Sequence, residues 1–189
     1  MTFQDAIKDL KKLESAIKEN NQRIQTVAIN EVASRLRKRI FNRGLATDGR
    51  KIGNYSTRPL LTGSSNFRTK KAANRVFGSK AQRSKRRWVT VGGKRLIVLE
   101  GGYKEFRDLS GNQTSKVDLQ YRGNLFRGVK IGTSGKNIVL GIKGTKNAKI
   151  AAAQEEHWGK DIFKPSKTEE KAADRKVIEE IDVILESIL

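Results

Sequence analysis

From Phe3 onward, apolar residues recur at Phe3, Ile7, Leu10, Leu13 or Ile17, Ile24, Val27 or Ala28, Val32, Leu36 and Ile40. Steps of three, four and seven put these side chains on one stripe of an α-helix, and Gly44 is a natural stop. The stripe outlasts an average globular helix, so it predicts either one helix of about forty residues or two helices broken at Glu19-Asn20-Asn21, where polar residues interrupt it. Such a stripe faces a core, or in part another subunit. Arg35, Arg37, Lys38, Arg39 and Arg43 fall in its last turns, where the helix dipole favours cations.

Beyond Gly44 the period disappears. Thr47-Asp48-Gly49 and Gly53-Asn54 are turn sequences and Arg58-Pro59 biases Arg58 to extended backbone, so residues 44–63 read as loop. Residues 63–87 have little periodicity and much Ser, Asn, Lys and Arg, which predicts a basic flexible arm inserted between the helix and the sheet. A strand pattern then takes over. Trp88–Val91 and Leu96–Leu99 join through Gly92-Gly93 as a hairpin, and Val129–Thr133 pairs with Asn137–Ile142 through Ser134-Gly135-Lys136. Together they predict about four strands, mostly antiparallel because the connections are short. Tyr103–Arg107 reads as a short helical turn and Val117–Phe126 as loop leading into helix. Asn147–Trp158 is a short helix closed by Gly159. The capping box Ser166-Lys-Thr-Glu169 opens a final amphipathic helix carrying Val177, Ile181, Ile184 or Leu185, and Ile188. The fold class expected is α+β, a single domain over residues 1–189.

Charge changes the picture most. Forty Lys and Arg face twenty Asp and Glu in 189 residues, a formal net charge of +20. Gly49–Leu99, fifty-one residues, contains fourteen Lys and Arg and no acid. A stretch so one-sided repels itself unless anions or acidic surfaces relieve it, the footprint of a polyanion binder or of a subunit assembled on acidic neighbours. Its candidate contacts to nucleic acid or partner are Arg68, Lys70, Lys71, Arg75, Lys80, Arg83, Lys85, Arg86 and Arg87, with Phe67, Phe77 and Trp88 interleaved as possible stacking platforms. Ser166–Leu189 has the opposite balance, four bases and seven acids, and a pairing of the two segments, within one subunit or between subunits, is open. The N-terminus mixes charge signs without an apolar run, so neither signal peptide nor membrane span is expected.

Catalytic signatures fail one by one. With no cysteine in the chain, disulfides, thiolate zinc sites and thiol nucleophiles are excluded. Gly128–Lys136 superficially suggests a phosphate loop, but Lys130 stands at the first required glycine and Asn137 at the required Ser or Thr, so Gly132 and Gly135 are assigned to hairpin geometry. His157 is the single histidine and cannot build a zinc site alone. Glu155 and Glu156 are adjacent and point apart, and the remaining acids are scattered. No enzyme, metal or cofactor is expected.

Several segments, in order, resemble a known group. Ile40-Phe-Asn-Arg-Gly44 followed by Asp48-Gly-Arg-Lys-Ile-Gly-Asn-Tyr-Ser56 resembles the entry segment of bacteriophage head-to-tail joining and tail-completion proteins, the neck or virion-morphogenesis group. Gly102-Tyr-Lys-Glu-Phe-Arg107 and Asp118-Leu-Gln-Tyr-Arg-Gly-Asn-Leu125 are similar to its tyrosine-arginine segment and the turn before a strand pair. Ala151-Ala-Ala-Gln-Glu-Glu-His-Trp-Gly159 and Ile162-Phe-Lys-Pro-Ser166 are similar to its ending. The chain departs from the group in the length and charge of residues 63–87 and in Arg122, where Ser or Thr is usual. The resemblance implies a non-enzymatic virion protein, assembled in the host cytoplasm into a homo-oligomeric ring between head and tail. Its implied partners are portal, adaptor or tail proteins, and packaged DNA through its backbone, with no membrane. The subunit-interface residues it implies are Ile40, Phe41, Tyr55, Tyr103, Arg107 and Phe163. The alternative reading is a free, sequence-nonspecific nucleic-acid-binding protein.

Overall fold

A computed structural model of the chain describes residues 3–120 and 123–188, so Tyr121 and Arg122 of the tyrosine-arginine segment lie outside the described residues. Helix α1 runs from Phe3 to Arg37 without a break, roughly 52 Å at 1.5 Å per residue. Glu19-Asn20-Asn21 does not interrupt it because polar side chains there bond along the helix: Asn20 Nδ2 donates to the Ala16 carbonyl at 2.9 Å, and Gln25 Nε2 to Asn21 Oδ1 at 3.2 Å. The helix widens into a π-helical segment at Lys38–Arg43 and stops at Gly44, whose φ of 68° is left-handed. A side chain at Gly44 would be blocked as well as strained, since its Cβ would lie 2.6 Å from the Val117 carbonyl oxygen.

The architecture is α+β, with two small antiparallel sheets where one of about four strands was expected. The first has the order β1 (Leu60–Thr62), β3 (Lys94–Leu99), β2 (Arg87–Val91). The second pairs β4 (Val129–Ser134) with β5 (Asn137–Ile142) through a tight turn at Gly135-Lys136. Each hairpin serves a different core, which is why they do not merge.

In the first core, Leu36, Ile40, Phe41, Ala46, Ile52, Val117, Leu125, Val129, Ala151 and Ile162 are buried together. The long C-terminal helix α7 (Lys167–Glu186) lies antiparallel along α1, held by Arg39–Glu169 at one end and Arg23–Glu180 further down. The stripe of α1 therefore divides. Ile24, Val32 and Leu36 are buried, while Phe3, Ile7 and Leu10 remain exposed.

The second core holds Phe67, Ala72, Val76, Ile97, Leu99 and Phe106. Residues 63–87, expected as a flexible arm, instead supply half of it: a 3-10 turn at Ser64–Asn66, helix α2 (Lys70–Phe77) and helix α3 (Lys80–Ser84). Helix α4 (Gly102–Leu109) closes that core, and the short helix α5 (Asn124–Gly128) and helix α6 (Thr145–Trp158) pack on the first. No helix is long and apolar enough to cross a membrane among the described residues.

Candidate polyanion-binding face and lobe junction

Each core with the elements around it forms a lobe, and the outer surface of the second follows from its local sequence. Thr69 caps α2 by accepting from the Ala72 amide, and Ala72 and Val76, four residues apart, turn inward. Lys70, Lys71 and Arg75 are thereby left outside, and Arg68 and Lys80 flank them, all exposed. Ser79 and Gln82 form a capping box that starts α3 and carries Arg83 outward.

The expected basic cluster is not uniform. Arg83 Nη1 donates to the Phe77 carbonyl at 2.9 Å, and the Arg83 carbonyl accepts from Trp88 Nε1 at 2.9 Å. Arg86 is half-buried and paired with Glu105, which also accepts from the Gly101 amide. Arg87 pairs with Glu100 at 3.1 Å, and Arg75 Nη1 reaches the Leu109 carbonyl at 3.3 Å. These four arginines fasten the lobe to itself. Arg68, Lys70, Lys71, Lys80 and Lys85 are exposed and form no ion pair with a described residue. Unlike the four arginines, their side chains make no hydrogen bond to a described residue either.

The interleaved aromatics are not a stacking platform. Phe67 is buried against Phe106 and Phe77, with ring centroids 4.8 and 6.1 Å away, and Phe77 meets Trp88 edge-on at 5.6 Å. Arg95 covers Trp88, its guanidinium 4.6 Å from the ring centroid. The aromatic spacing encodes a core built from basic sequence.

Where the lobes meet, Arg107 is 1% exposed. Its Nη2 donates to Asp118 Oδ1 at 2.9 Å, its Nε donates to the Gln113 carbonyl at 3.1 Å, and its guanidinium lies 4.4 Å from the Tyr55 ring centroid. Asp118 Oδ1 also accepts from the Tyr55 hydroxyl at 3.0 Å and the Gln120 amide at 3.0 Å, while the Tyr55 oxygen accepts from the Asp118 amide at 3.1 Å. Burial pushes the Tyr55 phenol well above its ordinary range. Tyr103 meets Tyr55 edge-on at 5.6 Å. Gly102 makes the approach possible: its φ is +65° and a Cβ there would stand 2.2 Å from the Arg58 carbonyl oxygen. Leu119 is the sole non-glycine at positive φ among the described residues, and it sits beside this network.

The residues expected at a subunit interface are thus placed inside the chain. Ile40 and Phe41 are buried in the first core, Phe163 packs partly buried against it, and Tyr55, Tyr103 and Arg107 form the junction. Ile40, Phe41 and Arg107 have almost no surface to offer a neighbour, while Tyr55, Tyr103 and Phe163 remain partly exposed. A second buried pair, Arg39 with Glu169 at 2.7 Å, was invisible in the sequence because Arg39 reads as a dipole-compensating cation and Glu169 as a cap. Glu169 does both, accepting from the Ser166 amide at 2.8 Å as well.

His157 is exposed, its ring meeting Trp158 edge-on with centroids 4.6 Å apart, and no group of three or more His, Cys, Asp or Glu could hold a metal ion among the described residues. Glu155 is used structurally, Oε1 accepting from the Ile162 and Phe163 amides at 2.8 and 3.0 Å. Comparison with protein-family models, curated proteins and solved structures finds no match to this chain.

Proposed function

We propose that the chain is a structural virion protein, a head-to-tail connector, neck or tail-completion subunit that assembles as a ring around the DNA channel and joins head to tail without catalysis. The observation that carries this reading is the mutual contact of residues quoted for the family resemblance, although they are spread from Phe41 to Phe163. Gln120 Nε2 donates to the Phe41 carbonyl at 3.0 Å, and Gly53 is pressed against Trp158, where a Cβ would lie 2.2 Å from the indole. Tyr55, Tyr103, Arg107 and Asp118 share one network, and Glu155 holds the backbone of Ile162 and Phe163. These contacts join the quoted segments into one structural framework.

The unpaired cations support the location. A ring on a DNA channel, or seated on an acidic portal, adaptor or tail protein, gains from phosphate or carboxylate neighbours without reading sequence. The test is to prepare phage particles lacking this chain. DNA-filled heads and free tails, unjoined, are expected, and joined infectious particles would overturn the proposal.

The exposed Lys70, Lys71, Lys80 and Lys85 also favour a second reading, a free nucleic-acid-binding protein acting outside the particle. That reading requires the isolated chain to bind short duplexes tightly, with affinity falling steeply in salt. Replacing those four lysines by Ser should then lower the log–log salt slope by roughly 1 per lost phosphate contact. Weak binding with a slope unchanged by the replacement would eliminate it.

A further inference from the structure

The first half of α1 keeps a heptad: Phe3, Leu10, Ile17 and Ile24 recur every seven residues, and Ala6 and Leu13 follow Phe3 and Leu10 by three. Positions so spaced form the seam of a two-stranded coiled coil. Within the chain only the far end of this seam is covered. Helix α7 runs antiparallel to α1, pairs Glu180 with Arg23, and ends at Glu186, six residues further on. Its end therefore lies level with about Ile17, and residues 3–16 project past it as roughly 20 Å of helix. Exposure follows the same division: Ile24 is 7% exposed, Leu10 65% and Phe3 82%.

The projecting segment is complementary to itself when reversed. Laid antiparallel with residue 8 on the two-fold axis, Phe3 meets Leu13 of a second copy and Ala6 meets its Leu10, and each contact occurs twice. The bulky Leu10 thus falls on the small Ala6. Ile7, half exposed, flanks the axis beside its own counterpart. In this register the tip of one copy stops at Leu13 of the other, short of the end of α7, so the overlap meets no obstruction. Charge favours the same direction. Asp5 comes level with Lys11 of the second copy, whereas a parallel pair would align each with its like. Asp9 and Lys12 already pair along the helix at 3.0 Å and are neutral in either direction. The opposed helix dipoles add to the preference.

We infer that the projecting first turns of α1 pair with the same turns of a second copy as a short antiparallel coiled coil. The contact is isologous, so it closes at two chains. A ring joining head to tail is polar and has no place for a two-fold contact within it, so the pair is a state of the free chain, which hides its apolar tips in this way. The inference goes beyond the ring reading and does not rest on it. Four layers make a small interface, and association is expected to depend on concentration.

Because the chain has no cysteine, cross-linking reads the register directly. An equimolar mixture of Ala6→Cys and Leu10→Cys chains, mildly oxidised, is expected to give a disulfide-linked dimer on a non-reducing gel. Each variant alone should give only background, since like positions stand about 6 Å apart along the axis as well as across the seam, too far for a disulfide. No dimer from the mixture, or as much dimer from either variant alone, as a parallel pair would give, would overturn the pairing. Leu10→Lys, at an exposed position, should convert the monomer–dimer equilibrium of wild type in analytical ultracentrifugation to monomer and leave the unfolding transition unchanged. Wild type that stays monomeric at its highest soluble concentration, or Leu10→Lys that dimerises equally well, also contradicts the inference. Either failure leaves the head-to-tail reading to be decided separately, by particles lacking the chain.

Discussion

The two lobes solve the same problem with opposite means. The first surrounds its core with long helices and matches buried charge with buried charge, Arg39 against Glu169. The second builds its core from Phe67, Ala72, Val76, Ile97, Leu99 and Phe106 and lets its cations accumulate outside. What relief it finds comes from beyond its acid-free sequence, through Glu100 and Glu105. Packing and charge balance are thus separable: a lobe can be well packed and still be electrostatically unfinished, and that deficit is where an anionic partner would add stability.

Truncating Phe67 tests most severely whether the second lobe is a true core. Phe67→Ala should destabilise by about 3–5 kcal/mol in denaturant unfolding, the usual cost of removing a buried aromatic side chain. A change below about 0.5 kcal/mol, typical of surface positions, would return residues 63–87 to the status of a loose arm. Asp118→Ala attacks the joint between the lobes. It strands the buried Arg107 charge, for which about 3–5 kcal/mol is expected, and loss of a single unfolding transition would show the lobes uncoupled. A two-state transition at wild-type stability would remove the junction from the account.

Tyr55→Phe should cost less, about 1 kcal/mol for the hydrogen bonds to Asp118. It also carries a pH signature. The folded phenol titrates above its ordinary value of 10.0, so its contribution is intact below that pH and is lost as pH rises and the unfolded state ionises first. Wild type should therefore lose more stability than Tyr55→Phe between about pH 9 and 11, followed by chemical denaturation; parallel curves would contradict the burial of this hydroxyl. Arg87→Ala sits at the bottom of the scale. Its pair with Glu100 is exposed on both sides, so a change below about 1 kcal/mol is expected, and a larger one would mean that the second lobe depends on that relief.

Legibility followed the length of the signal. The stripe of α1, the capping box at Ser166 and the two hairpins were readable because each repeats a period or fixes a turn over several residues. Strand β1 was missed since three residues cannot display alternation, and α2 because eight residues with only Ala72 and Val76 inward show little period amid lysines. The burial of Arg107 with Asp118, and of Arg39 with Glu169, depends on chain segments meeting across the fold, which no local pattern encodes. For the same reason the cations Arg75, Arg83, Arg86 and Arg87 looked alike in sequence and differ in the structure from Lys70, Lys71, Lys80 and Lys85, whose side chains make neither hydrogen bond nor ion pair with a described residue.

Cryo-electron microscopy of the intact virion should show this chain as a symmetric ring at the head–tail joint, with the Lys70, Lys71, Lys80 and Lys85 surface turned to the DNA channel or to an acidic neighbouring ring. A virion whose joint is fully accounted for by other proteins, with this chain absent from the particle, would contradict the proposed function.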